Sequence, residues 1–390
     1  DTPANARTTI RAAGHIVITN PDMLHTGILP HHTRWHRLFS RLKYVVIDEM
    51  HQYRGIFGSN VANVMRRLRR ICEHYGSRPQ FILCSATIAN PSELASQLIA
   101  DNVAVVDENG APSGAKHFVF YNPPVVNRQL GIRASAVLAA RRLAGELLAN
   151  NVQTIVFARS RLTVEILLSY LRDDAARLGK PEEMVRGYRG GYLPQQRREI
   201  ERGLREGRVR AVVSTNALEL GVDIGQLDAC VMLGYPGTVA SAWQQAGRVG
   251  RRTSASLAIL VATSSPLDQF IIQHPEYFFG ASVEHGLISP TNLYVLVNHV
   301  KCAAFELPFT PAAQFGDQDV SAILNFLREQ RVLHQSGGRW YWAAESFPAE
   351  EISLRTAAAE NVVIIDQTET GRPRVIGEMD RPSAMTLLHD

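Results

Sequence analysis

The sequence predicts an α/β protein: two parallel sheets in tandem, then a small module of two helices and a hairpin, then a strand-rich end. Three observations predict it. Short apolar and β-branched runs such as Tyr44-Val45-Val46-Ile47 and Thr154-Ile155-Val156-Phe157 alternate with helical stretches up to about residue 265, the pattern of buried strands covered by helices on both faces. A polar run of small residues from Asp107 to Lys116 divides that alternation into two sets. Beyond Pro266 it stops: residues 291–305 and 319–328 read as helices, and Arg331-Val332-Leu333-His334 returns through Ser336-Gly337-Gly338-Arg339 as Trp340-Tyr341-Trp342, a hairpin with a Gly-Gly turn.

Composition narrows the class without naming a function. At 390 residues the chain is long enough for two or three domains with cores of their own. Hydrophobic content of 45% with 20% charged residues is ordinary for a soluble globular protein, and a formal charge of +4 permits a nucleic-acid partner without demanding one. Cys72, Cys84, Cys230 and Cys302 are scattered, with no C-x-x-C spacing, so they read as reduced, mostly buried residues of a cytosolic protein. A disulfide scaffold and a zinc site are disfavoured. No apolar run reaches membrane-span length, and Asp1-Thr2-Pro3-Ala4-Asn5 is not a signal peptide. The first residue is not Met, which leads us to expect a piece of a longer polypeptide.

Taken in order, residues 15–19 form a short strand pattern, and Asn20-Pro21-Asp22-Met23-Leu24 opens a helix. Asn20 suits the N-cap, Pro21 the first helical position and Asp22 the positive end of the dipole. Free amides there could also hold a nucleic-acid phosphate, although capping needs no ligand. His31, His32 and His36 match no metal spacing and read as surface. Tyr44-Val45-Val46-Ile47 reads as a strand buried on both faces, and its carboxyl end, where a ligand crevice opens in such sheets, carries Asp48 and Glu49. An Asp there can hold the Mg²⁺ that bridges nucleotide phosphates, and a Glu can orient the attacking water. Acids that merely cap the following helix are the competing reading. The next helix, through Val61, Val64, Met65, Leu68 and Ile71, carries Arg66, Arg67, Arg69 and Arg70 on what reads as a solvated face rather than a binding patch. The strand Phe81-Ile82-Leu83-Cys84 then ends in Ser85-Ala86-Thr87.

The second set places strands at 154–157, near 184–185, and at 210–213, 229–233 and 257–261, with helices at 163–171, 195–204 and 239–245. These breaks divide the chain into 1–106, a linker at 107–120, a second α/β domain at 121–265, the helix and hairpin module at 266–346, and the start of a β-rich region at 347–390. The module has the outline of a winged helix, with a small α+β packing unit as the alternative.

Four signals stand in fixed order: Asp48-Glu49-Met50-His51 and Ser85-Ala86-Thr87 in the first set, and in the second Ser214 to Gly225 (Ser-Thr-Asn-Ala-Leu-Glu-Leu-Gly-Val-Asp-Ile-Gly) and Gln244-Gln245-Ala246-Gly247-Arg248-Val249-Gly250-Arg251. Together they resemble the motifs of superfamily 2 helicases. The resemblance implies two RecA-like domains, the first lacking its N-terminal part. It makes Asp48 the metal-holding acid, Glu49 the water-orienting base, and His51 the end of a DExH box. It makes Arg248 and Arg251 arginine fingers, with Gln244 beside the same phosphate, and gives Gly221 and Asp223 to the nucleotide site. Ser85 and Thr87 would couple the domains. Thr19, Asn20, Pro21, Asp22, Arg159, Ser160 and Thr215 match positions that hold strand phosphates, and Arg189-Gly190-Gly191-Tyr192 occupies a similar loop.

Thr19 to His25, Glu49 to Ser59 and Thr154 to Arg161 narrow the resemblance to the MrfA/YprA branch of DExH helicases, relatives of the Hrq type, and it continues through 301–309 and 377–384. That branch implies ATP and Mg²⁺ as cofactors, 3′ to 5′ movement on single-stranded or forked DNA, a role in DNA repair, a winged helix after the motor, and a place in the bacterial cytosol and nucleoid. No G-x-x-x-x-G-K-[ST] occurs in the sequence. The family's P-loop is therefore expected upstream of Asp1 and its zinc-binding domain downstream of Asp390, and the chain alone is expected to hydrolyse ATP poorly. Two other readings remain: a non-catalytic nucleic-acid-binding remnant, and an RNA or Lhr-type helicase.

Overall fold

The computed structural model describes residues 4–356, 361–366 and 374–380, apart from 87, 109, 111–113, 220, 221, 223, 226, 251–254, 281, 312 and 313. The chain forms two compact units: residues 1–85, 90–105 and 286–390 make one, and residues 86–89 and 106–285 the other.

In the first unit, β1 (Tyr44–Ile47) and β2 (Gln80–Leu83) pair in parallel, Tyr44 opposite Gln80 and Ile47 opposite Leu83, across the helix α1 (Gly55–His74). The helix α2 (Pro91–Ile99) follows, burying Leu94 and Leu98. The expectation that β1 is buried on both faces is corrected: Ile47 is buried, but Tyr44 and Val46 are 59% and 63% exposed, with Ile82 beside Val46 on the same side. The period of two is intact, and among the described residues no second layer covers that face. The strand expected at 15–19 is likewise not formed, and Ile18 is 95% exposed, because no described strand runs beside it to take its backbone hydrogen bonds.

The second unit is a six-stranded, wholly parallel sheet. Its elements are β3 (Lys116–Tyr121), α3 (Ala136–Ala149), β4 (Thr154–Ala158), α4 (Arg161–Arg177), β5 (Val185–Tyr188), α5 (Pro194–Arg205) and β6 (Ala211–Ser214). They continue with β7 (Ala229–Leu233), α6 (Val239–Ala246), β8 (Ser256–Val261), α7 (Pro266–Gln273) and α8 (Pro275–Gly280). The strand order is β3, β8, β7, β4, β6, β5. Alternate residues supply two cores. Ile155, Phe157, Val212 and Met232 pack with Leu204, Ala242 and Phe278 on one face, and Val156, Ala158, Val213 and Val231 with Ala140, Leu148, Leu167 and Leu171 on the other. Two assignments from sequence shift. β3 begins inside the stretch read as a linker, where Phe118 and Phe120 join an aromatic group around Phe278. For the same reason α7 and α8, read as the start of the next module, belong to this unit: Ile271 and Phe278 complete its core.

The chain then returns to the first unit with α9 (Leu293–Glu306), α10 (Ser321–Glu329) and the antiparallel hairpin β9 (Leu333–Ser336) and β10 (Arg339–Trp342). Gly337 and Gly338 turn the hairpin at φ of 57° and 75°, a region open to glycine at little steric cost. Leu296, Val300, Phe309, Leu324, Leu333 and Trp340 form a core of their own, and the arrangement is a winged helix. A second antiparallel hairpin, β11 (Asn361–Asp366) and β12 (Arg374–Asp380), matches the strand-rich end.

The arginines of α1 overturn their reading as a solvated face. Arg67 is 0% exposed: its guanidinium pairs with both carboxylate oxygens of Glu306 on α9, donates to the backbone oxygen of His25 at 3.1 Å, and meets the Nδ1 of His25 at 2.5 Å. Arg70 donates to the oxygens of Ala303, Leu307 and Pro308 at 2.6–2.8 Å, closing the C-terminal end of α9, and lies 3.9 Å from the Phe309 ring. Arg66, also buried, reaches Asp317 at 3.4 Å. His32, expected at the surface, is buried as well, where its Nε2 donates to the backbone oxygen of Glu306 at 2.9 Å and its Nδ1 meets the Tyr75 hydroxyl at 2.8 Å. Burial opposes the charge of Arg67, but Glu306 outweighs it and raises the guanidinium above its ordinary value. Burial first and then the Arg67 charge push His25 down to about 3 and His299 well below the usual histidine range, so neither imidazole adds a positive charge beside Arg67.

Cutting one partner of such a pair strands a buried charge. Glu306→Ala is expected to destabilise the first unit by about 3–5 kcal/mol, measured by urea denaturation at neutral pH, whereas a loss below about 1 kcal/mol would show that Arg67 finds water.

Candidate functional site

Asp48 and Glu49 leave β1 at its carboxyl end, and the backbone turns sharply there: Glu49 has φ 52° and ψ 42°, a left-handed conformation uncommon for a residue with a Cβ. The carboxylate of Asp48 stabilises the turn by accepting the Glu49 amide at 2.9 Å. The Met50 amide then donates to the Cys84 oxygen at 2.9 Å, and the Cys84 amide to the Ile47 oxygen at 2.9 Å, so the acidic turn is tied to the end of β2 one residue before Ser85. His51 is buried, with its Nε2 3.4 Å from a Glu49 oxygen, while Asp48 and Ser85 are exposed. Thr87 lies outside the described residues. Tyr53 stands in the same acidic field: burial, and then the Asp48 charge, raise its hydroxyl above the ordinary range.

The N-terminal loop has the capping geometry read from sequence. Asn20 accepts the Met23 amide at 2.8 Å through its side chain, Pro21 takes the first helical position, and the exposed Thr19 hydroxyl donates to the Asn20 oxygen at 3.4 Å. Asp22 pairs with Arg355 at 2.9 Å, and Arg355 lies 4.2 Å from the Phe57 ring. Sequence spacing offered no signal for that partner, more than 300 residues away.

In the second unit the register of the sheet gathers three loops. Phe157 and Tyr188 both stand level with or beside Ser214, so β4, β5 and β6 release Arg159-Ser160, Arg189 and Thr215 at one carboxyl edge. Ser160 caps α4 by accepting the Thr163 amide at 3.1 Å. Arg159 is exposed, and Arg189 pairs with Glu165 at 3.2 Å over the Tyr192 ring. Such an edge offers hydroxyls, amides and cations to a phosphate chain.

Gln244 and Arg248 are set apart from that edge. They sit at the C-terminal end of α6, where the buried Gln245 amide donates to Glu219 at 3.0 Å and Arg248 donates to the Val222 oxygen at 3.1 Å. Val249 forms a bridge with Leu227, ahead of the first residue of β7, which puts this end of α6 by the amino edge of the sheet. Gly221, Asp223 and Arg251 lie outside the described residues.

A single exposed carboxylate with oxygen donors suits Mg²⁺, which is commonly held by one or two carboxylates together with phosphate oxygens. Among the described residues no group of three or more His, Cys, Asp or Glu side chains gathers that could hold a metal ion. No described helix is long and apolar enough to cross a membrane.

Three family models match in succession: a DEAD/DEAH box helicase over residues 1–94, a helicase conserved C-terminal domain over 139–253, and the winged helix domain of the ATP-dependent helicase HRQ1 over 288–357. With two RecA-like domains and a winged helix, that succession defines a superfamily 2 helicase. The chain belongs to its Hrq/MrfA branch. It is 64% identical to the "Uncharacterized ATP-dependent helicase YprA" of Bacillus subtilis, over 100% of this chain and 52% of that protein. It is 38% identical to the ATP-dependent helicase HRQ1 of Saccharomyces cerevisiae, over 100% of this chain and 37% of that one. A crystal structure of the DUF1998 helicase MrfA bound to DNA and AMPPNP matches with a TM-score of 0.90 at 63% identity, over 100% of this chain and 54% of that chain. The chain thus spans about half the length of YprA and MrfA, and less of HRQ1.

The left-handed turn at Glu49 gives a stability test. Glu49→Gly is expected to leave stability within about 1 kcal/mol of wild type, because glycine relieves the φ strain that the unfolded-state entropy offsets. Glu49→Val should be less stable than Glu49→Gly by about 1–2 kcal/mol, read from paired urea melts; equal melts would remove backbone strain from the account.

Proposed function

We propose that the full-length protein carrying this sequence is an ATP-dependent DNA helicase or translocase, moving 3′ to 5′ on single-stranded or forked DNA in the service of DNA repair in the bacterial cytosol. The observation that carries the reading is the turn of Asp48, Glu49 and His51, a strained acidic corner at the carboxyl end of a parallel strand, tied to the strand that leads to Ser85. MrfA's capture with DNA and AMPPNP supports DNA and ATP as the ligands.

In this reading Asp48 would hold Mg²⁺, and Glu49 would orient a water and accept its proton. His51 keeps the Glu49 carboxylate in place from its buried position. Bound Mg²⁺ and ATP supply the activated phosphoryl group and much of its charge neutralisation. Arg248 and Arg251, with Gln244, add positive charge and hydrogen bonds at the same phosphate, while Gly221 and Asp223 border the nucleotide; these roles rest on their match to the family's motifs. Thr19, the capped turn at Asn20, Pro21 and Asp22, Arg159, Ser160 and Thr215 grip phosphates of one strand, and Ser85 with Thr87 links strand position to hydrolysis. Backbone contacts of this kind position without reading bases, which suits a motor.

In the full-length protein, Glu49→Gln should lower DNA-stimulated ATP turnover by about 100-fold or more while ATP and DNA binding stay within about threefold. Arg248→Ala should lower the same rate by about 10³-fold. A near-normal ATPase rate in either variant removes that residue from the chemistry.

Strand gripping is checked separately by salt titration of oligodeoxythymidine binding. Arg159→Ala should weaken binding equally for all base sequences and reduce the slope of log K against log salt by about 0.7. A loss confined to particular sequences would contradict phosphate gripping, and tighter binding and faster displacement on an RNA loading strand would sink the DNA assignment.

A further inference from the structure

One carboxylate outside every motif named above touches two of the elements the helicase reading depends on. Glu284 lies in the loop after α8, where periodicity and spacing give it no role. Its Oε1 accepts the Val239 amide at 2.7 Å and its Oε2 the Ala240 amide at 3.0 Å. With Thr238 accepting the Ser241 amide at 3.1 Å, the first three amides of α6 are all engaged. The backbone oxygen of the same residue accepts the Ala89 amide at 3.4 Å, and Ala89 ends the four-residue stretch 86–89 that follows Ser85 and belongs to the second unit.

At its other end α6 is held as firmly. Gln245 donates to Glu219, Arg248 to the Val222 oxygen, and the Lys116 amine to the Ala246 oxygen at 2.6 Å. A short helix pinned by side chains at both ends moves as a rigid rod, so a displacement of its first turn is delivered to its last. The helix dipole favours a carboxylate at the N-terminus, which by itself would account only for an ordinary stabilising contact of about 0.3–1 kcal/mol. What a capping role leaves unexplained is the shared residue: Glu284 holds the first turn of α6 through its carboxylate and, through its backbone oxygen, accepts the amide of Ala89, two residues after Thr87.

We propose that Glu284 is a positioning residue that couples the Ser85–Thr87 segment to α6, and through α6 to Gln244 and Arg248. The proposal rests on the helicase reading and adds to it the path by which an occupied strand site sets the arginine-bearing helix. Within the second unit the path runs from Ala89 through the backbone and carboxylate of Glu284 to the Val239 and Ala240 amides, and down α6 to Arg248. Within the first unit the acidic turn reaches the same segment, because Met50 is bonded to Cys84, the residue before Ser85. A coupling of this kind is a claim about linked free energies, and it is tested by the linkage rather than by loss of activity.

The measurement is the ratio of ATP turnover with saturating oligodeoxythymidine to turnover without it, in the full-length protein. Because both rates scale with the amount of folded enzyme, the ratio is blind to a purely structural loss. Glu284→Ala is expected to reduce the ratio at least about fivefold, the lower end of ordinary coupling. Glu284→Gln, which keeps one acceptor oxygen, should fall between. Val239→Pro provides an independent cut: it deletes one of the two amides at the first helical position, where proline is tolerated, and Thr238 before it is already extended. A wild-type ratio in either Glu284→Ala or Val239→Pro, including equal loss of both rates, overturns the proposal. Arg248→Ala is run alongside: if that variant turns over ATP normally, the helicase-site reading fails, whatever the Glu284 ratio shows.

Discussion

A parallel sheet sends all of its outgoing loops to one edge, and most of the candidate site follows from that constraint. In the second unit, Phe157 and Tyr188 register on Ser214, and Phe157 on Met232, so the loops after β4, β5, β6 and β7 emerge together. Arg159, Ser160, Arg189 and Thr215 need no further device to be neighbours. The first unit repeats the logic on a smaller scale, for Ile47 opposite Leu83 places the acidic turn beside Ser85. Gln244 and Arg248 lie at the end of a helix instead of a strand. Their placement therefore depends on anchors the sheet does not supply, namely Glu219, Val222 and Glu284.

This division explains what was legible in the sequence. Strands β4, β6 and β7 are buried at every position, and continuous apolar runs of that kind announce themselves without any partner being known. The N-cap at Asn20 was equally plain, because its bond to Met23 spans three residues. Burial that depends on distant chain was not legible. β1 has the composition of a doubly buried strand, yet Val46 is exposed, since composition records what a strand can bury and not what covers it. β3 was hidden by the polar run before it, and the register of Lys116 to Tyr121 on β8 is a long-range fact.

The arginines of α1 show the same limit in its strongest form. Four arginines on one helix read as a wet surface because a buried guanidinium is rare unless paired. Each pairing lies far along the chain: Arg67 to Glu306, Arg70 to the end of α9, Arg66 to Asp317. Glu306 in turn sits at the end of an apolar helix with nothing nearby in sequence to mark it. The packing of α9 on α1 makes the Arg67 and Arg70 charges complementary, and it turns much of the apparent solvent face into the seam between the β1–α1–β2 segment and the winged helix.

The buried ion pairs and the exposed Asp48 thus lie in separate places. The cations that hold α1 to α9 are dry and hydrogen-bonded on several sides, so their geometry is fixed by desolvation as much as by attraction. The acids of the candidate site are the reverse: Asp48 is exposed, and Glu49 occupies a backbone region that folding alone would assign to glycine. A glutamate in that turn presents a carboxylate where glycine would present none. Its strain is tolerated because Ile47, Met50 and His51 on either side are buried and cannot relax with it. Stiff, buried flanks around a strained and accessible acid are what a site needs if the carboxylate is to meet a phosphate-bound water without rearranging first.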